Sequence, residues 1–327
     1  EDVKFSNGTP MTSEDVVFSI LRAKQPTSDF KEYISSISSV KAIDKYTVQI
    51  KTTEPNPILL NQLSNIFVVS KVWATENFSI VPQNWNASQE TYASTNAMGT
   101  GPFKITLREP NTKTVFKKNS KWWGNVEHNL TSIELLPIAN AATRVAALLS
   151  GEIDIVTDAP VQDLGRIGSS GGHKVESTPQ MRTIFLGMDQ GADKLRSGNT
   201  GDNPFKKKQV RQALYQAIDI KAIQKKVMRG LSEPAGIITF PGVTGYTKAL
   251  DARLPYDPDA AKKLLADAGY PNGFDVELRC PNDRYVNDEA ICTAVVGMFG
   301  KIGVNVSLNS QTKSKHFKEL KNKKGDF

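Results

Sequence analysis

Apolar residues with helical spacing predict a helix over residues 13–23. The apolar positions of this helix, on one face, are Val16, Val17, Ile20 and Leu21. Thr12 is placed as its N-cap, and Asp15 at the third helical position is an acidic partner for it, which is a variant of the capping box. The start of the chain therefore specifies a helix that packs one face on a core.

Two further helices carry their own start or stop signals. After Asp257 as N-cap, Pro258 fits the first helical position, and Gly269 ends the helix. A helix that begins near residue 141 is stopped by Gly151. Helical patterns also cover 205–218, 220–230 and 289–303.

Alternating or short apolar runs predict strands between these helices. They cover 37–44, 46–52, 98–105, 114–118, 131–138, 152–156, 181–189, 274–280 and 304–309. The order strand, helix, strand around residues 131–156 indicates an α/β protein.

Composition changes this picture little, whereas charge adds one feature. The 327 residues are 39% hydrophobic, which is ordinary for a globular protein large enough for two or three domains. The net charge is +7, and the part from Gly191 onward has 23 Lys and Arg against 15 Asp and Glu. These lysines lack interleaved aromatic residues, so we interpret them as solvated helix faces and predict no nucleic-acid partner.

Membrane and export signals are not predicted within the chain. No apolar run approaches the roughly 18 residues needed to cross a bilayer. The first residues lack a cationic start followed by an apolar stretch, so we expect no signal peptide here.

The two cysteines, Cys280 and Cys292, enclose Arg284 and Tyr285. Two cysteines without nearby histidines do not make a zinc site, and no CxxC redox motif is present. A disulfide and two buried thiols both remain open from the spacing alone.

Enzyme signatures give little support for catalysis. The chain has no HExxH and no cysteine placed beside a histidine. A pair of catalytic carboxylates stays open, because acidic residues are common and their spatial partners do not follow from sequence. We therefore keep a hydrolase as the less favoured alternative to a non-enzymatic receptor, and predict no cofactor and no resident metal.

Several motifs, in order along the chain, resemble the family 5 extracellular solute-binding proteins, the peptide- and nickel-type receptors of ABC importers. They are "KFSNGTPMTSEDVVFSI", "MGTGPFKI", "KWWG", "ATRVAALLSGEIDIV", "VRQALYQAIDIKAI" and "YDPDAAKKLLADAGYPNGF". The resemblance covers essentially the whole chain.

The resemblance implies an α/β, two-lobed periplasmic-binding-protein-like fold with an extra subdomain in the N-terminal lobe. We expect the extra subdomain over 1–97, the central part of that lobe over 98–190 and the second lobe over 191–327. The family's early strands and its ligand-contacting "W-x-x-D-x-x-D-P" region are not in this sequence, so the fold is expected to be incomplete at both ends.

The resemblance also implies a function and a site. The expected protein captures short peptides between its lobes in the periplasm of a bacterium and delivers them to a membrane permease, as a monomer. A nickel–chelator complex, an opine or a glycan fragment is the alternative ligand.

Arg284 and Tyr285 match ligand-contacting family positions, and Arg182 is a weaker candidate. Export favours the Cys280–Cys292 disulfide. The competing interpretation is that Arg284 pairs with Asp283, Asp288 or Glu289 and only pins its loop.

Overall fold

The computed structural model describes residues 2–84, 87 and 90–327. The chain divides into two compact units, Glu1–Pro137 and Ile138–Phe327, here called the first and the second unit. The finer division at 97 and 190 stays a prediction. Among the described residues, no helix combines the length and the apolar character that a membrane span requires.

The first unit contains a hairpin and a three-stranded sheet, both antiparallel. Its helices are α1 (Ser13–Ala23), α2 (Leu59–Leu63), α3 (Lys71–Glu76) and α4 (Tyr92–Thr95). The strands β1 (Ile37–Ala42) and β2 (Val48–Thr52) form the hairpin, and β3 (Phe103–Glu109), β4 (Lys113–Lys118) and β5 (Ser132–Leu135) form the sheet. Helix α1 packs on the hairpin through Ile20, Ile37 and Val40.

The capping prediction for α1 is confirmed. The backbone N–H of Thr12 donates to Oδ2 of Asp15 over 2.9 Å. The other carboxylate oxygen of Asp15 accepts from the backbone N–H of Lys71, also over 2.9 Å. One buried acidic side chain therefore both starts α1 and fastens the beginning of α3 to it.

The second unit is mainly helical around one parallel strand pair. Its helices are α5 (Ala141–Ser150), α6 (Leu164–Ser169), α7 (Lys208–Ala217), α8 (Ile220–Ala222), α9 (Pro258–Asp267), α10 (Asp288–Gly300) and α11 (Lys313–Lys321). A π-helical turn, Ile223–Val227, continues α8. The strands are β6 (Asp275–Pro281) and β7 (Asn305–Gln311).

Strand β6, helix α10 and strand β7 form a β–α–β unit. Val276 and Leu278 of β6 and Val295 and Phe299 of α10 are buried in the main core of the second unit. Phe205 joins the same core from the segment before α7. Because both strands run in the same direction, the loops that follow β6 and β7 leave the sheet at one edge.

Two strand predictions are wrong. Residues 152–156 and 181–189 contain no strand. In the second segment, only Asp189 has a backbone partner among the described residues, and its N–H donates to the carbonyl of Asp326 over 2.9 Å. A strand exists only through a ladder of such bonds, and neither apolar segment has a ladder here.

Candidate functional site

The candidate site lies on a loop at the carboxyl edge of the parallel strands. Residues 282–287, here called the disulfide loop, connect the end of β6 to the start of α10. In α/β proteins, ligands bind outside the carboxyl ends of parallel strands. The loop that carries Arg284 and Tyr285 is therefore in a position suited to binding.

A disulfide closes the base of this loop. Cys280, near the end of β6, is bonded to Cys292 in α10, and both residues are buried. The predicted disulfide is confirmed, and no free cysteine remains among the described residues. The bond ties helix α10 to strand β6 and so limits how far the loop between them can move.

A buried carboxylate fixes the shape of the loop. Oδ2 of Asp288 accepts the backbone N–H groups of Arg284 over 2.9 Å and of Tyr285 over 3.0 Å. Its Oδ1 accepts from the backbone N–H of Glu289 over 3.0 Å. Hydrogen bonds from N–H groups to an ionised carboxylate are stronger than neutral ones. The side chain of Asp288 thus holds the two residues that the family resemblance singled out.

Neighbouring segments add further support to the loop. The backbone N–H of Asn282 donates to the carbonyl of Gln311 at the end of β7 over 3.0 Å. The side-chain amide of Asn287 donates to the carbonyl of Val227 over 2.9 Å. The loop is therefore bonded at both of its ends as well as at its centre.

The three predicted ligand-binding residues lie together. The guanidinium carbon of Arg284 is 5.2 Å from the centre of the Tyr285 ring, and that of Arg182 is 5.7 Å from the same centre. Both arginines are exposed, and Tyr285 is partly buried. Their role in binding stays a prediction, but the structure brings residues about 100 positions apart in sequence onto one ring.

No carboxylate of the described residues neutralises either arginine. In the described part of the chain, no carboxylate forms an ion pair with Arg284 or Arg182. The acidic neighbours of Arg284 have other partners, since Asp288 accepts backbone N–H groups and Asp283 accepts the N–H of Lys313. The interpretation that Arg284 pins the loop through a carboxylate therefore has no contact to support it.

Sequence reasoning missed a group of buried polar atoms beside the loop. Four of these atoms are buried and have no hydrogen-bond partner in the part of the chain that the structure describes: the side-chain oxygen and nitrogen of Gln311, the hydroxyl of Ser310 and Nδ1 of His316. Burial lowers the pKa of His316, while the charge of Glu319 opposes this effect. The alternation of apolar and polar residues predicted a strand only as far as residue 309. It therefore gave no indication that polar atoms of Ser310, Gln311 and His316 are buried.

The arrangement of the described side chains does not support direct metal coordination. Over residues 2–84, 87 and 90–327, no three His, Cys, Asp or Glu residues are grouped as ligands. Direct coordination usually requires such a group. The polar groups at the candidate site are instead two guanidinium groups and a phenol, which can donate hydrogen bonds.

The chain belongs to the bacterial extracellular solute-binding proteins of family 5, because the model of the middle region of that family matches residues 1–327. This family consists of binding proteins. The resemblance stated from the sequence motifs is therefore confirmed.

Individual proteins and solved structures are similar to this chain. The glutathione-binding protein GsiB of Escherichia coli strain K12 is 28% identical over 283 residues, which are 85% of this chain and 50% of that protein. AgaA from A. tumefaciens R10, solved in complex with agropinic acid, is 27% identical, with a TM-score of 0.77 over 100% of this chain and 62% of AgaA. The oligopeptide-binding protein AppA of Bacillus subtilis, solved with a nonapeptide, has a TM-score of 0.81 at 22% identity, covering 97% of this chain and 63% of AppA.

These comparisons confirm the α/β fold of the periplasmic-binding-protein type. The chain spans about half the length of the curated relatives that it matches. Its coverage of the solved structures is likewise partial.

Proposed function

We propose that this chain is part of the substrate-binding component of a bacterial ABC importer, which captures short peptides in the periplasm and delivers them to a membrane permease. Family membership supports the receptor class, and the names of GsiB and AppA describe binding of glutathione and of oligopeptides. The receptor acts as a monomer, has no nucleic-acid partner and performs no bond chemistry.

One observation carries the proposal: Arg284 is an exposed cation without a counter-ion among the described residues, on a loop that other groups hold in place. Its guanidinium presents N–H donors in a fixed fork that matches a carboxylate. The C-terminal carboxylate of a peptide is a ligand group of that chemistry. Binding it would give Arg284 the partner that the described residues do not supply.

The rigidity of the disulfide loop favours the binding of a carboxylate by Arg284. The Cys280–Cys292 bond and the three N–H bonds of Asp288 order the loop before a ligand arrives. A pre-ordered loop loses less conformational entropy on binding, so more of the contact energy remains as affinity.

The first experiment identifies the ligand and then tests Arg284. Native mass spectrometry of the full-length protein, purified gently from its own periplasm, should reveal a co-purified peptide. Titration calorimetry with that peptide should then show that Arg284→Ala weakens binding at least tenfold, which corresponds to about 1.4 kcal/mol.

The control for this variant is Arg166→Ala, which removes an exposed arginine of α6 and the same unit of charge. Both variants should melt near the wild-type temperature, because backbone bonds to Asp288 hold the disulfide loop. Unchanged affinity in Arg284→Ala would overturn the proposed role of this residue. A receptor that binds no peptide would overturn the peptide assignment.

A non-peptide solute is the second candidate, favoured by the likeness to AgaA, whose structure contains agropinic acid. An opine, a glycan fragment and a nickel–chelator complex belong to this candidate. A thermal-shift screen distinguishes them from peptides, because a ligand that binds only the folded protein raises its melting temperature.

A further inference from the structure

We infer that the solute carries two carboxylates, one bound by Arg284 and a second bound by Arg182. This inference rests on the proposed receptor function and narrows its ligand to an acidic class, such as a short peptide ending in glutamate. The shared contact of both arginines with Tyr285 is the observation from which it starts.

Geometry places the two cations within reach of one small molecule. Their guanidinium carbons are 5.2 Å and 5.7 Å from the same ring centre, so their separation cannot exceed the sum of these distances. An extended chain advances about 3.3–3.6 Å per residue. The two carboxylates of a C-terminal glutamate lie about one such step apart whatever the length of the peptide, so they fit between two cations at most this far apart. One carboxylate at its C-terminus and one on a side chain can therefore meet both groups.

The electrostatic balance at Tyr285 also favours two anionic groups. Two like charges near one ring repel each other, and the aromatic face compensates only part of that cost. Among the described arginines of the second unit, Arg279 contacts Glu277 and Glu319, Arg196 contacts Asp189 and Asp326, and Arg166 contacts Asp163, whereas the others form no ion pair. Arg182 and Arg284 differ from those others in sharing one aromatic ring. A ligand with a single carboxylate would leave one cation of the Tyr285 pair without a counter-charge.

Hydrogen-bond donors remain free for this purpose. In the described residues, the guanidinium groups of Arg182 and Arg284 have ring contacts but no hydrogen-bond acceptor. A contact with an aromatic face leaves the N–H edges of a guanidinium available for a carboxylate. Each arginine can thus bind one carboxylate through two parallel hydrogen bonds.

Segment 181–185 is held near the site by a contact of its own. The hydroxyl of Thr183 donates to the carbonyl of Ile238 over 2.7 Å. Thr183 directly follows Arg182, so this bond limits the positions that Arg182 can adopt. The hydrogen bond of Thr183 therefore helps to fix the position of Arg182, the second cation.

Matched peptides test the inference on the full-length protein. The probes are Ala-Glu, Ala-Ala-Glu and Ala-Ala-Ala-Glu, each compared with its twin ending in glutamine. Twins differ only in the second carboxylate. We expect at least one glutamate peptide to bind at least tenfold more tightly than its twin, measured by titration calorimetry.

Substitutions assign the second carboxylate. Arg182→Gln should bring the affinities of the twins to within about twofold of each other, whereas Arg166→Gln should preserve the tenfold ratio. Equal binding of twins by the wild-type protein would overturn the inference and leave the peptide receptor standing. A ratio that survives Arg182→Gln would overturn the role of Arg182. Failure of all six peptides to bind would overturn the short-peptide function and this inference together.

Discussion

Two buried carboxylates hold segments of the second unit by accepting backbone N–H groups. Asp288 does so in the disulfide loop. Asp326 accepts the backbone N–H groups of Arg196 and Ser197, each over 2.9 Å, and its side chain is 2% exposed. In both cases one carboxylate accepts hydrogen bonds from several backbone N–H groups and so fixes the segment that carries them.

Asp288→Ala should loosen the disulfide loop. It removes the acceptor of the N–H groups of Arg284, Tyr285 and Glu289, so we expect a loss of about 2 kcal/mol in the free energy of unfolding and weaker peptide binding. Urea denaturation and titration calorimetry measure the two effects. The control is Glu289→Ala, which removes a neighbouring exposed charge and should change neither quantity by much. If Asp288→Ala behaved like the control, the disulfide alone would be sufficient to hold the loop.

At the residue scale, sequence reasoning found the cations of the site but not what holds them. Arg284 and Tyr285 came from the family resemblance, and Arg182 came from its position within the strand predicted over 181–189, near the expected crossing between the lobes. Asp288 was considered only as a salt-bridge partner of Arg284, whereas its oxygens accept backbone N–H groups. An aspartate at the start of an apolar helix is a capping signal, so the sequence did contain information about Asp288.

At the scale of elements, helix α11 is attached to strand β6 by ionic contacts around a histidine. Arg279 of β6 lies 2.6 Å from carboxylate oxygens of both Glu277 and Glu319. Beside them, burial lowers the pKa of His316 from its usual 6.5; the positive charge of Arg279 also lowers it, whereas the charges of Glu319 and Asp288 raise it. His316 is therefore held in its neutral form more strongly in the folded protein than in the unfolded chain.

Stability should decrease as the pH falls through 6.5, because the unfolded chain then binds a proton that the folded protein resists. The contribution of His316 is fully present above pH 6.5 and decreases towards its lowered folded pKa. Between pH 7.5 and 5.5 we expect it to lower the free energy of unfolding, with solvent screening of the partly exposed ring limiting the size of the effect.

The variant His316→Gln isolates this contribution. Its free energy of unfolding, from urea titrations at both pH values, should decrease by less than that of the wild-type protein. Carboxylates whose pKa values are lowered by hydrogen bonds, such as Asp189 and Asp251, titrate further towards acid and are common to both proteins. Identical pH dependence in the two proteins would contradict the role assigned to His316.

Helices were more predictable than strands because their determinants are local. Asp257, Pro258 and Gly269 specify α9 within a dozen residues, and the structure follows them: Asp257 accepts the N–H of Ala260, and Gly269 has a φ of +93°. A strand requires a neighbouring strand to pair with, and a local sequence pattern does not identify that neighbour. Segment 181–189 has the right pattern, but among the described residues only its Asp189 forms a backbone–backbone hydrogen bond, so the pattern was not sufficient.

At the scale of the whole molecule, net charge is the property that follows most directly from the sequence. The net charge is +7, and most of the basic excess lies from Gly191 onward, in the unit that carries the candidate site. We interpreted these lysines as solvated faces without a nucleic-acid partner. For a receptor of acidic solutes, the same excess has a kinetic consequence, because a positive potential attracts anions towards the protein.

Association of an acidic peptide should therefore depend on salt more than association of its neutral twin. Salt screens the field of the exposed charges, since the Debye length falls from about 10 Å at 0.1 M to about 3 Å at 1 M. Stopped-flow measurements with Ala-Ala-Glu and Ala-Ala-Gln should show a several-fold decrease in the association rate of the glutamate peptide over this range, with a smaller change for its twin. Arg166→Gln should reduce the salt effect slightly, because it removes one of many contributing charges. Equal salt dependence of the two peptides would show that the excess charge does not steer the solute, and binding would then depend on the local contacts with Arg182 and Arg284 alone.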